Sequence, residues 1–170
     1  SVPKVEKNNL DGKPVHITGD DPRIDSITSM INEKGGHIAA SEGNGIDLFI
    51  YFTGNIPNFS KLTELSRGEW NKLVDQFINV PAAVTQKAIN NFVPGGSDDP
   101  RKFKDAKGRI VIIGPDLPSG KKISGHERAK VEVFRGAMRP FMTTVNQELS
   151  DVLKSNVRVF LILPGSIDGK

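Results

Sequence analysis

The sequence has 170 residues, of which 36% are hydrophobic and 25% charged, with a formal net charge of +3 at pH 7. This length suits one domain with a single core, and the composition is that of an ordinary soluble globular protein. Cysteine is absent, which excludes disulfides, thiolate catalysis and zinc-thiolate sites. No apolar run approaches the roughly 18 residues of a membrane span, and a signal-peptide pattern is lacking. We therefore expect a cytoplasmic protein without membrane contact.

Basic residues are spread along the chain, with small concentrations at 101–107 and 121–122. One Trp and one Tyr offer few platforms on which single-stranded bases could stack. The sequence therefore predicts no nucleic-acid partner, whereas an anionic small ligand stays compatible with the charge.

The chain begins with a polar stretch and then turns apolar. Residues 1–12, SVPKVEKNNLDG, contain an early proline and are predicted to be a linker or arm. A single domain is predicted over 13–170. Its first element is a short alternating strand at 13–19, KPVHITG, which stops at glycine.

A helix is predicted next. Asp20 or Asp21 can cap it with Pro22 in its first turn, and the glycines at 35–36 end it. Its apolar residues at helical spacing are Ile24, Ile27 and Ile31.

The middle of the chain contains the most strand-like segment. Residues 37–42 are predicted as a second short strand, and 46–55, IDLFIYFTGN, form a continuous apolar strand buried on both faces. A helical stripe then covers 67–92, and Pro81 is expected to bend this helix or break it near Asn79.

An exposed loop at 93–108 leads to another continuous apolar strand at 109–114. A long amphipathic helix over 125–153 follows, in which Pro140 predicts a kink, and the last strand is 157–165. Strands that alternate with helices predict an α/β fold: a doubly wound parallel sheet with helices on both faces, in three α/β/α layers.

The chain resembles the short-chain dehydrogenase/reductase superfamily in the order of five segments. These are LDGKPVHITG, IDLFIYFTGN, EWNKLVDQFINVPAAVTQKAI, GRIVIIG and NVRVFLILPG. The match covers most of residues 10–166. The resemblance implies a Rossmann fold and, in an active member, reduction of a carbonyl with NAD or NADP.

The resemblance also implies which residues would hold a cofactor in an active member: Thr18, Gly19, Gly54, Pro164 and Gly165. The family's phosphate-binding turn needs several glycines so that the backbone can approach the pyrophosphate. This chain has TGDDPRID instead, and Asp20 and Asp21 would repel a diphosphate. The expectation is therefore that no cofactor binds.

The family's catalytic groups are an asparagine, a serine, a tyrosine and a lysine, and this chain departs from that set. Asn79 matches the asparagine, while His126 and Lys130 keep the spacing of the tyrosine and lysine, which places them on one helix face. At 114–115 a Gly-Pro pair replaces the serine. A second alignment puts Lys130 at the tyrosine position and Phe134 at the lysine. The alternative to a catalytic role is a polar helix start that faces solvent.

The chain is also shorter than a full member of the superfamily. Between its second strand and IDLFIYF, only SEGNG replaces a helix, a strand and another helix. A full member also continues beyond the final Pro-Gly. We therefore expect either a fragment of a larger chain or a domain completed by a neighbour.

Three functions remain open. The first is a degenerate, non-catalytic domain with a structural or assembly role in multidomain NAD(P)H-dependent ketoacyl or acyl-CoA reductases, such as those of fatty-acid metabolism. The second is an active NAD(P)-dependent oxidoreductase that uses Asn79, His126 and Lys130. The third is an acyl-CoA or carrier-arm binding module that uses the lysines at 121–122.

The resemblance finally implies an assembly surface. In the superfamily, the two long helices that match 67–92 and 125–153 pack against the same pair of a second subunit. We expect a dimer or an adjoining reductase domain there, because the second helix is apolar on more than one side.

Overall fold

The structure is a computed structural model, which describes residues 10–41, 45–57, 61–116 and 125–164, with the backbone alone for 125–127. Its strands form one five-stranded, fully parallel sheet with the order β2-β1-β3-β4-β5. This order confirms the predicted doubly wound α/β fold, and the strand order reverses between β1 and β3. The strands are β1 (Pro14–Gly19), β2 (His37–Ile38), β3 (Leu48–Phe52), β4 (Lys107–Ile113) and β5 (Asn156–Ile162).

The first helix follows β1 as predicted. It is α1 (Ile24–Glu33), and Gly35, with φ of 82°, lies just beyond its end. Strand β2 is shorter than the predicted 37–42. Residues 1–9 of the predicted arm lie outside the described residues, and Leu10 packs against the core beneath α1.

The expected bend or break near Asn79 takes the form of a π-helical turn, and the helix is not interrupted there. Helix α2 (Arg67–Val74) passes through a π-helical turn, Asp75–Asn79, into α3 (Val80–Asn91). Pro81 has no N–H to donate, so the helix before it cannot keep its ordinary hydrogen-bond ladder. The Val80 N–H instead donates to the Asp75 carbonyl, five residues back, which is the pattern of a π turn.

The predicted loop at 93–108 is wrong in its second half. Residues Pro100–Asp105 form a 3₁₀ helix, and β4 begins at Lys107, two residues before the predicted strand. Helix α4 (Gly125–Gln147) contains Pro140 and ends in a π-helical turn, Glu148–Val152. The predicted helix over 125–153 is therefore present.

The larger part of the core lies between the sheet and helices α3 and α4. Side chains of β3, β4 and β5 that point to this face meet the apolar stripe of α4, including Met138, Met142 and Leu149. A smaller cluster lies on the other face, beneath α1, and includes Val15, Ile31 and Phe52. Helices therefore lie on both faces, as the three-layer prediction requires.

Candidate functional site

The carboxyl ends of β1, β3, β4 and β5 meet at one edge of the sheet. In open α/β sheets, ligands bind at this edge, where the strand order reverses. A cleft of about 500 Å³ opens there, beside the point of reversal between β1 and β3. It is lined by Asp20, Tyr51, Phe52, Thr53, Gly54, Asn55, Pro57, Gln76 and Val80.

The turn after β1 starts at Gly19, which the resemblance assigned to cofactor binding together with Thr18. Gly19 has φ of 121°, and a Cβ atom built on it would lie 2.3 Å from the Phe52 carbonyl oxygen. This glycine is thus required by the close approach of β1 and β3. Thr18 lies within β1, next to Tyr51 of β3, and neither Thr18 nor Gly19 lines the cleft.

The predicted cap of α1 by Asp20 or Asp21 is wrong, because Arg23 precedes the helix and no side chain caps it. Asp21 instead accepts hydrogen bonds from the Arg23 N–H (2.9 Å) and from the Arg23 Nε and Nη2 (2.8 Å each). This fork lowers the pKa of the Asp21 carboxyl and raises that of the guanidinium. The Asp21 charge that was expected to repel a diphosphate is thus paired, whereas Asp20 is exposed at the cleft.

Arg23 also reaches beyond its own turn. Its guanidinium carbon lies 5.7 Å from the centre of the Phe52 ring, and its Nη1 lies 3.8 Å from a carboxylate oxygen of Asp116. Since Asp116 follows β4, this arginine joins the ends of β1 and β4 across β3.

The end of β3 is held by amide side chains. Gln76, in the π turn, donates from Nε2 to the carbonyls of Thr53 (3.0 Å) and Asn55 (3.2 Å). The Asn55 Oδ1 accepts from the Asp116 N–H at 3.0 Å. Gly54 lies between them with φ of 78° and lines the cleft. Sequence reasoning missed Gln76, although π turns are frequent at functional sites.

Asn79, the match to the family's asparagine, is exposed and bonded within its own turn. Its Nδ2 donates to Asp75 Oδ1 at 2.6 Å, and it does not line the cleft. Asp75 thus engages the amide that would support a proton-relay water in an active member.

The other two predicted catalytic residues lie on α4. Lys130 is 3% exposed, so the alternative of a solvent-facing lysine is wrong. The His126 side chain lies outside the described residues, and its backbone is in the first turn of α4. At the end of β4, the Gly-Pro pair that replaces the serine has no hydroxyl, and the chain's one tyrosine, Tyr51, lies in β3 rather than on α4.

Arg135 was not singled out from the sequence, yet its side chain bonds to the ends of two strands at this edge. From α4, this buried arginine donates to the carbonyls of Pro115 (3.2 Å), Leu163 (3.3 Å) and Pro164. Burial lowers the pKa of its guanidinium. Its buried Nε meets no hydrogen-bond partner within the described residues. Pro164, an assigned cofactor residue, thus has its carbonyl occupied, and Gly165 lies outside the described residues.

The edge is therefore joined by the protein's own side chains. Arg23 links β1 to β4, Asn55 links β3 to β4, and Arg135 links β4 to β5. Among the described residues, the cleft beside Gly54 stays open at this edge, and the one charged side chain in its lining is the carboxylate of Asp20.

Two further features bear on the chemistry. No group of three or more His, Asp or Glu side chains in the described part of the chain is placed to hold a metal ion. None of the described helices has the length and apolar content needed to cross a bilayer.

Comparison with known proteins identifies the fold. No protein-family model matches the chain, and no curated protein matches it in sequence. Among solved structures, an NADH-dependent reductase responsible for alginate metabolism is similar, with a TM-score of 0.63 and 15% identity over 95% of this chain and 80% of that one. An NAD⁺-bound xylitol dehydrogenase has a TM-score of 0.59 and 16% identity over 92% of this chain and 71% of its own. The chain thus has the Rossmann-like fold of dehydrogenases.

Proposed function

We propose that this chain is a non-catalytic domain of the short-chain dehydrogenase/reductase type, with a structural or assembly role in a multidomain NAD(P)H-dependent ketoacyl or acyl-CoA reductase. The proposal rests on the contacts that join the carboxyl ends of the strands to one another. The strand ends that meet cofactor and substrate in an active member are here bonded to one another through Arg23, Asn55 and Arg135.

The turn after β1 supports the absence of a dinucleotide. A pyrophosphate needs backbone N–H groups aimed at it from a glycine-rich turn. In this turn the Arg23 N–H is bonded to Asp21, and exposed Asp20 adds negative charge beside the cleft. Both features disfavour a diphosphate at this position.

The end of β4 supports the absence of catalysis. Carbonyl reduction in the superfamily needs a hydroxyl that holds the substrate oxygen, and Gly114 and Pro115 carry none. The Pro115 carbonyl is bonded to Arg135. A Cβ atom on Gly114 would lie 2.7 Å from a Leu163 methyl group, so a serine at 114 would require the Leu163 side chain to move.

The assembly role uses the surface formed by α3 and α4. A groove of about 520 Å³ lies between them, lined mainly by apolar side chains such as Ile89, Phe141 and Leu149. Phe141 and Val133 of α4 are exposed. We assign this surface to a second copy or to an adjoining reductase domain, as in the four-helix interface of the superfamily.

A second candidate is favoured by one observation. The open cleft of about 500 Å³ lies where active dehydrogenases bind a nucleotide, so an oxidoreductase that uses NAD or NADP with Asn79, His126 and Lys130 is the alternative. For a third candidate, an acyl-CoA or carrier-arm module, the lysines at 121–122 lie outside the described residues.

Calorimetric titration with NADH and NADPH tests the proposal. We expect no binding tighter than tens of micromolar, which corresponds to about 6 kcal/mol. Tighter binding of either nucleotide would overturn the proposal in favour of the active oxidoreductase. A parallel titration with coenzyme A addresses the third candidate.

Analytical ultracentrifugation tests the assembly surface. We expect the isolated chain to dimerise and Phe141→Glu to make it monomeric, with Met30→Glu on the outer side of α1 as the matched control. A monomeric wild type whose fold and solubility are unchanged by Phe141→Glu would exclude self-assembly through this surface.

A further inference from the structure

A second surface lies on the opposite side of the sheet, over β4 and β5. Successive side chains of a strand point to opposite faces, and Val157 and Val159 belong to the core beneath α3 and α4. The side chains between them therefore point to the α1 side. The pairing of β4 with β5 sets neighbours side by side on that side. This surface, which we call the β4–β5 face, comprises Lys107, Arg109, Val111, Ile113, Asn156, Arg158, Phe160 and Ile162.

The carboxyl half of the β4–β5 face is apolar, and its β5 side chains are exposed. Val111 and Ile113 of β4 instead pack in the cluster beneath α1, where Ile113 is 8% exposed. Phe160 is 49% and Ile162 48% exposed, and neither belongs to a core cluster. Strands of a doubly wound parallel sheet are normally buried on both faces. The helix that the described residues place on this side is α1, which contacts β1 and β2, so within that part of the chain no second layer covers these two side chains.

The amino half of the same face is cationic. Lys107 and Arg109 are exposed, and Arg109 lies directly beside Arg158. The Nη1 of Arg109 donates to the carbonyls of Gly108 in β4 and Asn156 in β5. The Nη1 of Arg158 donates to those of Ser155 and Val157, so both side chains are held against the sheet. The eight side chains of the face include no carboxylate, so the positive charge is not neutralised within it.

The dimensions fit one helix. Neighbouring strands lie about 4.8 Å apart, and an α-helix with its side chains is about 10 Å across. The exposed side chains of β5, with Arg109 of β4 beside them, therefore offer room for a single helix, and Val111 and Ile113 in the cluster beneath α1 border it on the inner side.

We propose that the β4–β5 face binds one amphipathic helix of a partner protein, with apolar residues over Phe160 and Ile162 and acidic residues over Arg109 and Arg158. The charge decides between occupants. Two copies of this chain could pair such faces in two orientations. In one, the arginines of the two copies would face and repel each other. In the other, each arginine would face Phe160 of the other copy and lose its hydration without gaining a charged partner. An acidic helix neutralises them. This surface is distinct from that of α3 and α4, and the proposal does not depend on the proposed function.

The test uses two synthetic helical peptides with the same leucine stripe, one with glutamates at one end and one with lysines at the same positions. Their binding to the full chain is measured by fluorescence anisotropy. We expect the acidic peptide to bind at least about tenfold more tightly than the basic one. Phe160→Ser should weaken it about tenfold, and Arg109→Glu with Arg158→Glu should reverse the preference.

Met30→Ser is the matched control, because Met30 is 54% exposed but lies on α1, and it should change nothing. Ile162→Ser repeats the test of Phe160→Ser, and circular dichroism verifies the fold of each variant. Absence of binding, equal binding of both peptides, or no effect of either serine substitution would overturn the proposal. Phe160-dependent binding to phosphatidylserine vesicles without peptide binding would overturn it in favour of a membrane surface.

Discussion

The tetrapeptide Asp-Asp-Pro-Arg occurs twice in this chain, at 20–23 and at 98–101. In both copies the second aspartate accepts hydrogen bonds from the N–H, Nε and Nη2 of the arginine, at 2.8 to 2.9 Å in the first copy and at 2.9 to 3.0 Å for the same contacts in the second. The first copy directly precedes α1, and the second contains the first two residues of the 3₁₀ helix Pro100–Asp105. The local sequence is thus sufficient for the fork.

The surroundings of the two forks differ. The Asp21 side chain is 1% exposed and that of Arg23 is 35% exposed, whereas the values for Asp99 and Arg101 are 32% and 88%. Arg23 also contacts the Phe52 ring and Asp116. The same four residues therefore link strand ends in the first copy and form a surface turn in the second. The position in the fold decides how much the fork contributes to stability.

The largest difference is expected at the nearest glycine before each copy, which is Gly19 directly before the first copy and Gly96 two residues before the second. Gly19→Ala should destabilise the fold by about 3 kcal/mol, because the new Cβ would meet the Phe52 backbone at 2.3 Å and φ is unfavourable. Gly96→Ala should cost about 1 kcal/mol, since its φ of 95° is strained but nothing lies within 4 Å of the new atom. Urea denaturation measures both. Equal losses would show that φ strain alone sets the cost.

The aspartates themselves provide the next comparison. Asp21→Asn should lower the free energy of unfolding at pH 7 by about 2 kcal/mol, because a buried, charge-assisted fork is replaced by weaker bonds. Asp99→Asn, which changes the same contacts at an exposed site, should produce no measurable change. If the two variants were equally destabilised, burial would not be what distinguishes the copies.

Acid should remove the effect of Asp21. The Arg23 fork lowers the pKa of the folded carboxyl below its ordinary 3.8, so its contribution is complete above 3.8 and is lost as the pH falls through the folded value. The stability difference between wild type and Asp21→Asn should therefore be constant from pH 7 to about pH 5 and shrink below about pH 4. A difference that persists unchanged to about pH 2 would contradict the assignment to ionised Asp21.

Much of the fold could be predicted because its signals are local. The apolar run at 46–55 predicts a buried strand whatever its neighbours are, and the absence of an N–H on Pro81 predicts a bend or break near Asn79. The ends of the elements were harder to predict. Strand β4 begins at Lys107 because its pairing with β5 extends it, and no local sequence pattern shows this pairing.

The site was less predictable, since it depends on which strand ends become neighbours. Arg135 interrupts the apolar residues of α4, but its bonds to Leu163 and Pro164 arise only once β4 and β5 are adjacent. Gln76 faces Thr53 only because the π turn after α2 directs it there. The burial of Lys130 likewise could not be read from HERAK, whose spacing sets the helix face but not what covers it.

The smallest expected effect concerns the tether between Arg23 and Asp116, which the second copy lacks among the described residues. Both side chains are more than a third exposed and the two charged atoms are 3.8 Å apart, so we expect a coupling energy of about 0.5 kcal/mol. A double-mutant cycle of Arg23→Gln and Asp116→Asn measures it, and it cancels the loss of the Asp21 fork common to both arginine variants. The cycle of Arg101→Gln with Asp116→Asn is the control and should show no coupling. Because exposed pairs are screened by salt, the coupling should vanish in about 1 M salt, where the Debye length is near 3 Å. The coupling energy could instead equal the loss of stability caused by Asp21→Asn. In that case the link between strand ends, and not the burial of the fork, would explain why the two copies contribute differently to stability.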